Sequence, residues 1–168
     1  MRTQLASASE AAREPALPAM LDGPSLQRTG LPSDVSGFWV WEHTAPLSSG
    51  DEKTEREEWH VAQDGAKVSG YYDRMVRQVS TDGHAYKCSM ALELRILTRY
   101  RFTGEVRGDE VTIYESDFEV LEPSACDNGK RRLDAYQGRA AGDEIRLVWG
   151  PGAQVLKRAR PDVPTQRF

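Results

Sequence analysis

The sequence predicts an all-β chain: a single up-and-down antiparallel β-barrel of about eight strands behind a disordered N-terminal leader. Three observations carry that prediction. Short runs rich in Val, Ile, Tyr and Trp alternate apolar with polar residues, the mark of a strand with one buried face. Gly-Asp and Asp-Gly pairs recur between those runs, where antiparallel hairpins need residues that tolerate positive φ. No helical pattern is available to cover a sheet face, so a meander of this length is expected to close on itself.

Residues 55–79 hold the clearest hairpin. Glu57, Trp59 and Val61 alternate with Glu58, His60 and Ala62. Asp64-Gly65 is read as a two-residue turn, after which Val68, Gly70, Tyr72 and Arg74 share a face. That turn sets Trp59 opposite Gly70 and Glu57 opposite Tyr72, with Arg74 diagonal to Glu57 and within reach of it.

The rest of the chain repeats the device. Residues 1–34 are rich in Ala, Pro and Ser and lack a sustained period, which predicts disorder. The barrel domain is placed at residues 35–160. Its first strand carries Trp39, Trp41 and His43 on one face, and residues 44–54 read as a polar loop. After a turn at residues 80–83, residues 84–97 read as a strand, because Leu92, Leu94 and Ile96 alternate with Glu93 and Arg95. A short helix over residues 89–97 is the alternative. Tyr100, Phe102, Gly104 and Val106 lead into a Gly108-Asp109 turn, and Val111, Ile113 and Glu115 return. This register pairs Val106 with Val111, Gly104 with Ile113 and Phe102 with Glu115. Tyr136, Gly138 and Ala140 lead through Gly142-Asp143 to Ile145, Leu147 and Trp149, with Tyr136 facing Trp149 and Gly138 facing Leu147. A turn at Gly150-Pro151-Gly152 precedes the closing strand, which pairs Leu147 with Leu156 and Ile145 with Arg158. Residues 161–168 read as a flexible tail.

Bulk properties exclude several functions. The 168 residues suit one domain. A net charge of −4 supplies no basic field, so no nucleic-acid partner is expected. No run is long and apolar enough for a membrane span. His43, His60 and His84 fall on three separate elements, so no metal is expected, and neither is a cofactor. The oligomeric state is left open.

Gly37-Phe38-Trp39 resembles the Gly-x-Trp signature of lipocalins, and Arg158 resembles the basic residue that packs over that Trp across the calycin superfamily. The hairpin from Asp64 to Tyr72 is similar to the early hairpin of avidins. The second lipocalin signature, Thr-Asp-Tyr, is missing, with Ser116-Asp117-Phe118 as its faint echo. The resemblance implies a barrel that holds a small molecule in its mouth, with Trp39 and Arg158 structural.

The inward-facing sets contain more ionisable groups than a dry core tolerates: His43, Glu57, Arg74, Glu115, Asp134 and Arg158. One reading is a structural network plugging one end, centred on Glu57 and Arg74. The other is a polar cavity for a hydrophobic or aromatic ligand. Trp41, Trp59, Tyr72, Tyr100, Tyr136 and Trp149 would wall it, with His43 and Arg74 among its polar groups. An enzyme on this frame would be a cyclase or isomerase. Glu57 or Glu115 would act as general acid or base, with Tyr72 donating to a developing oxyanion. A third reading is an interaction module using the leader and the acidic rim near Asp51. No Gly-x-Ser-x-Gly motif supports hydrolysis.

Cys88 and Cys126 are the two cysteines, both near ends of expected strands. A bridge between them would point to an oxidising compartment. The lack of a secretory signal pattern points to the cytoplasm instead. The sequence leaves both open.

Overall fold

The computed structural model describes residues 31–150 and 152–160. Eight strands form within them: β1 Gly37–Pro46, β2 Glu52–Asp64, β3 Lys67–Val79, β4 Glu93–Arg107, β5 Glu110–Glu122, β6 Ala135–Ala141, β7 Glu144–Trp149 and β8 Gly152–Arg158. Each pairs antiparallel with its sequence neighbours, and β8 returns to β1, closing the barrel. This is an up-and-down topology. The expected leader lies outside the described residues up to position 30, as does the tail from 161 onward. Barrel contacts begin at Ser33, whose N–H donates to the Gly108 carbonyl at 2.7 Å.

Three tight turns gather at one end. Gly65, Gly108 and Gly142 each hold the first loop position with φ near +60° (59°, 62° and 58°). The residue after each keeps negative φ, which gives the type II′ pattern that matches strand twist. This corrects the first hairpin. Gly65, which has no Cβ, takes the leading positive-φ position, so the loop is Gly65-Ala66 and Asp64 pairs with Lys67. The register moves by two residues: Val61 faces Gly70, Trp59 faces Tyr72, and Glu57 faces Arg74 directly. A two-residue shift leaves every side chain on its expected face.

The next two hairpins have the expected register, with Phe102 facing Glu115 and Gly138 facing Leu147. The last hairpin also moves by two: Ile145 faces Leu156, Leu147 faces Gln154 and Trp149 faces Gly152. The indole of Trp149 lies where a Cβ on residue 152 would sit, so only glycine fits there.

Two element boundaries differ from expectation. β1 and β2 run further than the expected loop at 44–54, leaving only residues 47–51 unpaired. Thr44 with Thr54 and Glu42 with Arg56 join across the strands there, so polar residues continue the ladder. Residues 84–92 do not form a strand apart from one isolated bridge, Tyr86 to Ala91. Leu94, Ile96 and Tyr100 share parity because they lie on one long strand, β4.

The turn end is sealed from below. Val35 is buried and accepts a hydrogen bond at its carbonyl from Trp39 Nε1 at 2.9 Å. The Arg158 guanidinium lies 4.2 Å from the centre of the Trp39 ring and donates to the carbonyls of Ser36 and Asp34 at 2.6 and 2.8 Å. β1 and β8 pair over only two described positions, one of them Trp39 with Arg158. Arg158 therefore fastens the closing seam. Arg158→Leu removes the cation–π contact and both charge-assisted bonds, with an expected cost of about 3 kcal/mol. Urea denaturation should show a lower midpoint at unchanged slope. Arg158→Lys should recover less than half of the loss, since an ammonium lacks the planar fork.

Candidate functional site

The site begins with ring stacking inside the barrel. Trp59, Tyr72 and Tyr100 stand opposite one another on β2, β3 and β4. Their rings stack in series at 4.1 and 5.0 Å, nearly parallel. Tyr136 meets the Trp59 ring edge-on at 5.8 Å, and Trp149 tilts against Tyr136 at 5.6 Å. Trp39, Trp59, Tyr72 and Phe102 fill the axis toward the turn end. Burial thins toward the loop end, where Trp41, Phe118 and Trp149 are only partly covered.

A β-bulge shapes this half. Phe102 faces Glu115, yet Arg101 faces Asp117, so Ser116 is the extra residue on β5. Its hydroxyl donates to the Arg101 carbonyl at 3.2 Å. The bulge switches parity, so Glu115 and Phe118 both point inward although they are three residues apart.

Two carboxylates project into the interior, and they differ. Glu115 is saturated. Tyr72 and Tyr136 both donate to its Oε1, the latter at 2.7 Å, and the Asp134 N–H donates to Oε2 at 2.7 Å. Glu57 is 2% exposed. Trp59 Nε1 and Gln154 Nε2 donate to its Oε2 at 2.9 and 3.2 Å. Its Oε1 faces Arg74 Nε at 3.7 Å, which is too long for a hydrogen bond. Arg74 Nε is buried and has no hydrogen-bond partner among the described residues. The guanidinium instead binds Glu55 through a terminal nitrogen at 2.7 Å.

Protonation follows from these surroundings. Burial pushes the Glu57 carboxyl above its ordinary range, and Arg74, Trp59 and Gln154 offset this only in part. Burial works the same way on Glu55, but Arg74 and Lys53 outweigh it and hold Glu55 below the ordinary range. Burial, joined by the nearby carboxylates, raises Tyr72 and Tyr136, so both hydroxyls stay protonated as donors.

Row by row, Trp41 on β1 stands opposite Glu57, Glu57 opposite Arg74, and Arg74 opposite Thr98. Arg131 reaches into this row from the β5–β6 loop, with Nε and a terminal nitrogen each 3.3 Å from the Thr98 hydroxyl. Asp127 holds it at 2.8 Å. Cys88 and Cys126 are bonded, which ties that loop to the β3–β4 loop. The expected residues thus separate into groups. Trp59, Tyr72, Tyr100, Tyr136 and Glu115 form the filled interior, while Trp41, Glu57, Arg74 and Trp149 lie toward the loop end. His43 is exposed and stacks on Trp41 at 6.0 Å. Trp39 and Arg158 sit at the sealed end, away from the others. Thr98, Gln154 and Arg131 were not singled out from sequence. Gln154 shares a face with Leu156, which is a usable signal. Arg131 lies in a loop and has no periodicity to reveal it.

Grooves of about 620 and 560 Å³ run along the outer wall, the larger beside Phe38, His60 and Tyr71. Neither contains Glu57 or Arg74. No family model, curated protein or solved structure matches the chain.

The contrast between the two carboxylates is measurable. Glu57 has its folded pKa above the unfolded value, so its contribution to stability is complete below the ordinary glutamate range. That contribution is lost as pH rises through the elevated pKa. Glu57→Gln should therefore flatten the decline in melting temperature as pH rises above the ordinary glutamate range. Glu115→Gln weakens three satisfied hydrogen bonds and should cost about 2 kcal/mol near neutral pH. Equal pH slopes for wild type and Glu57→Gln would contradict this assignment.

Proposed function

We propose that this protein is a small-molecule-binding barrel of calycin-like kind, which holds a compact aromatic or hydrophobic ligand at its loop end. One observation carries the reading: the buried, unclosed gap between Glu57 Oε1 and Arg74 Nε, 3.7 Å wide. A ligand hydroxyl or carbonyl at that gap would accept from Arg74 Nε–H. A hydroxyl could also donate to Glu57 or accept its proton. The partly covered rings of Trp41, Trp149 and Phe118 supply the apolar wall. The Cys88–Cys126 bridge favours an oxidising compartment as the working environment.

A second reading rests on the same carboxyl. An acid held above its ordinary pKa beside apolar walls suits general acid catalysis of an isomerisation or cyclisation. Glu115 is the weaker candidate, because three donors already occupy its oxygens. The interaction-module reading depends on the leader, which lies outside the described residues.

Native mass spectrometry of the protein from its own host is the test. Excess native mass over the denatured chain is expected, and the released compound should carry an aromatic or hydrophobic body with an oxygen group. Arg74→Met should weaken binding at least tenfold, the value of a lost buried hydrogen bond to a charged group, and Trp41→Ala should weaken it by removing apolar wall area. An empty wild-type protein whose tryptophan emission ignores added aromatic alcohols would overturn the binding reading. Turnover of a bound compound that Glu57→Gln abolishes would favour the enzyme.

A further inference from the structure

A separate cluster lies on the rim of the loop end. Asp51 precedes β2, and Asp82 and His84 lie in the loop after β3. Because Glu52 pairs with Val79, the two loops are neighbours. One donor atom from each of the three side chains lies within 4.8 Å of the others.

Asp51 is what makes the cluster more than a charged rim. It is 2% exposed, as deeply buried as Glu57. Its Oδ2 accepts from Ser49 and Gln78, each at 3.0 Å. Among the described residues no well-formed hydrogen bond reaches its Oδ1, although that atom is buried and the Tyr86 hydroxyl lies close enough to interact with Asp51. A buried carboxylate oxygen without a donor is costly, so something should meet it. The group facing it is His84 Nε2, at 3.6 Å. The other ring nitrogen, Nδ1, is held by the Asp82 carboxylate and lies 3.0 Å from the Ser80 hydroxyl. A carboxylate that orients one imidazole nitrogen while the other points at an acidic oxygen is the outer-shell arrangement of metal-binding histidines.

Charge and spacing agree. Two carboxylates face one imidazole. A protonated ring would neutralise one of them, and a divalent cation neutralises both. Zinc binds imidazole nitrogen and carboxylate oxygen at about 2.0–2.2 Å, which places tetrahedral neighbours about 3.3 Å apart. The 3.6 Å between Nε2 and Oδ1 needs a change of only a few tenths of an ångström. A set that includes imidazole favours zinc over calcium or magnesium, which take oxygen ligands.

We propose that Asp51, His84 and Asp82 form a zinc site that staples the β3–β4 loop to the β1–β2 loop at the barrel rim. Asp51 Oδ1 and His84 Nε2 bind the ion, Asp82 orients the ring through Nδ1, and water completes the coordination. The staple lies four residues before Cys88, so ion and disulfide together fix the loop that borders the mouth. The site stands whether or not the barrel holds a ligand.

The test is calorimetric titration of the chelator-treated, disulfide-intact full chain with zinc chloride, with thermal melts alongside. One equivalent is expected to bind and to raise the melting temperature, while magnesium chloride does neither. His84 is exposed, so His84→Ala should fold and should abolish both effects. Asp82→Asn should weaken binding about tenfold or more. The rival partner for Asp51 Oδ1 is the Tyr86 hydroxyl, which is also buried without a hydrogen bond. Tyr86→Phe separates the two, because zinc binding should survive it. Absence of binding at a large excess of zinc would overturn the proposal. So would undiminished binding by His84→Ala, or loss of binding in a His43→Ala/His60→Ala double variant.

Discussion

The stack of Trp59, Tyr72 and Tyr100 governs what the rest of this barrel can do. An eight-stranded barrel has an interior only about as wide as the side chains that fill it. Three nearly parallel rings on adjacent strands occupy that width. Their polar tips must then find partners inside, because water does not reach them. Trp59 directs its N–H to Glu57, and Tyr72 directs its hydroxyl to Glu115. Buried Glu57 and half-buried Glu115 are therefore consequences of an aromatic core that carries donors. A phenylalanine core of the same shape would have needed neither.

The two ends of the barrel divide labour for a backbone reason. Three type II′ turns close one end with two residues each, leaving no chain to build a site from. Val35 and the Trp39–Arg158 contact seal what remains. The opposite end carries the loops at 47–51, 80–92 and 123–134. These loops bring Arg131, Asp51 and His84 to the rim, and the disulfide joins two of them. Recognition on a rigid scaffold usually resides on such loops. Here both the Glu57–Arg74 gap and the Asp51–His84 cluster open toward them.

Faces were legible in the sequence and registers only partly so. Period-two alternation identified the inward residues of six strands because each strand has one dry side. It cannot distinguish a register from one shifted by two, since both place the same residues inside. The first and last hairpins moved in that way. The first followed glycine to the leading position of its turn, and the last followed the room that Gly152 leaves for Trp149. The Ser116 bulge was invisible for the opposite reason: it breaks the alternation from which faces are read. His84 was set aside because a metal reading looked for other histidines. Its companions are Asp82, two residues away, and Asp51, from a loop distant in sequence, and spacing carries no signal for the second.

The two carboxylates, taken together, separate architecture from function. Both lie among the same rings, where a carboxylate needs donors to replace water. Glu115 accepts from three donors and has little left to offer a further group. Glu57 has two donors on one oxygen and, on the other, an arginine that is ion-paired at 3.7 Å but not hydrogen-bonded. Rotation of Arg74 toward Glu57 would close the gap, but Glu55 keeps the guanidinium at 2.7 Å. The competition among one arginine and two glutamates thus leaves a buried donor and a buried acceptor facing each other without bonding. A purely structural plug gains nothing from that arrangement, because an apolar pair of similar volume would be as stable or more so. The ligand site we propose would use that gap to accept and release a polar group.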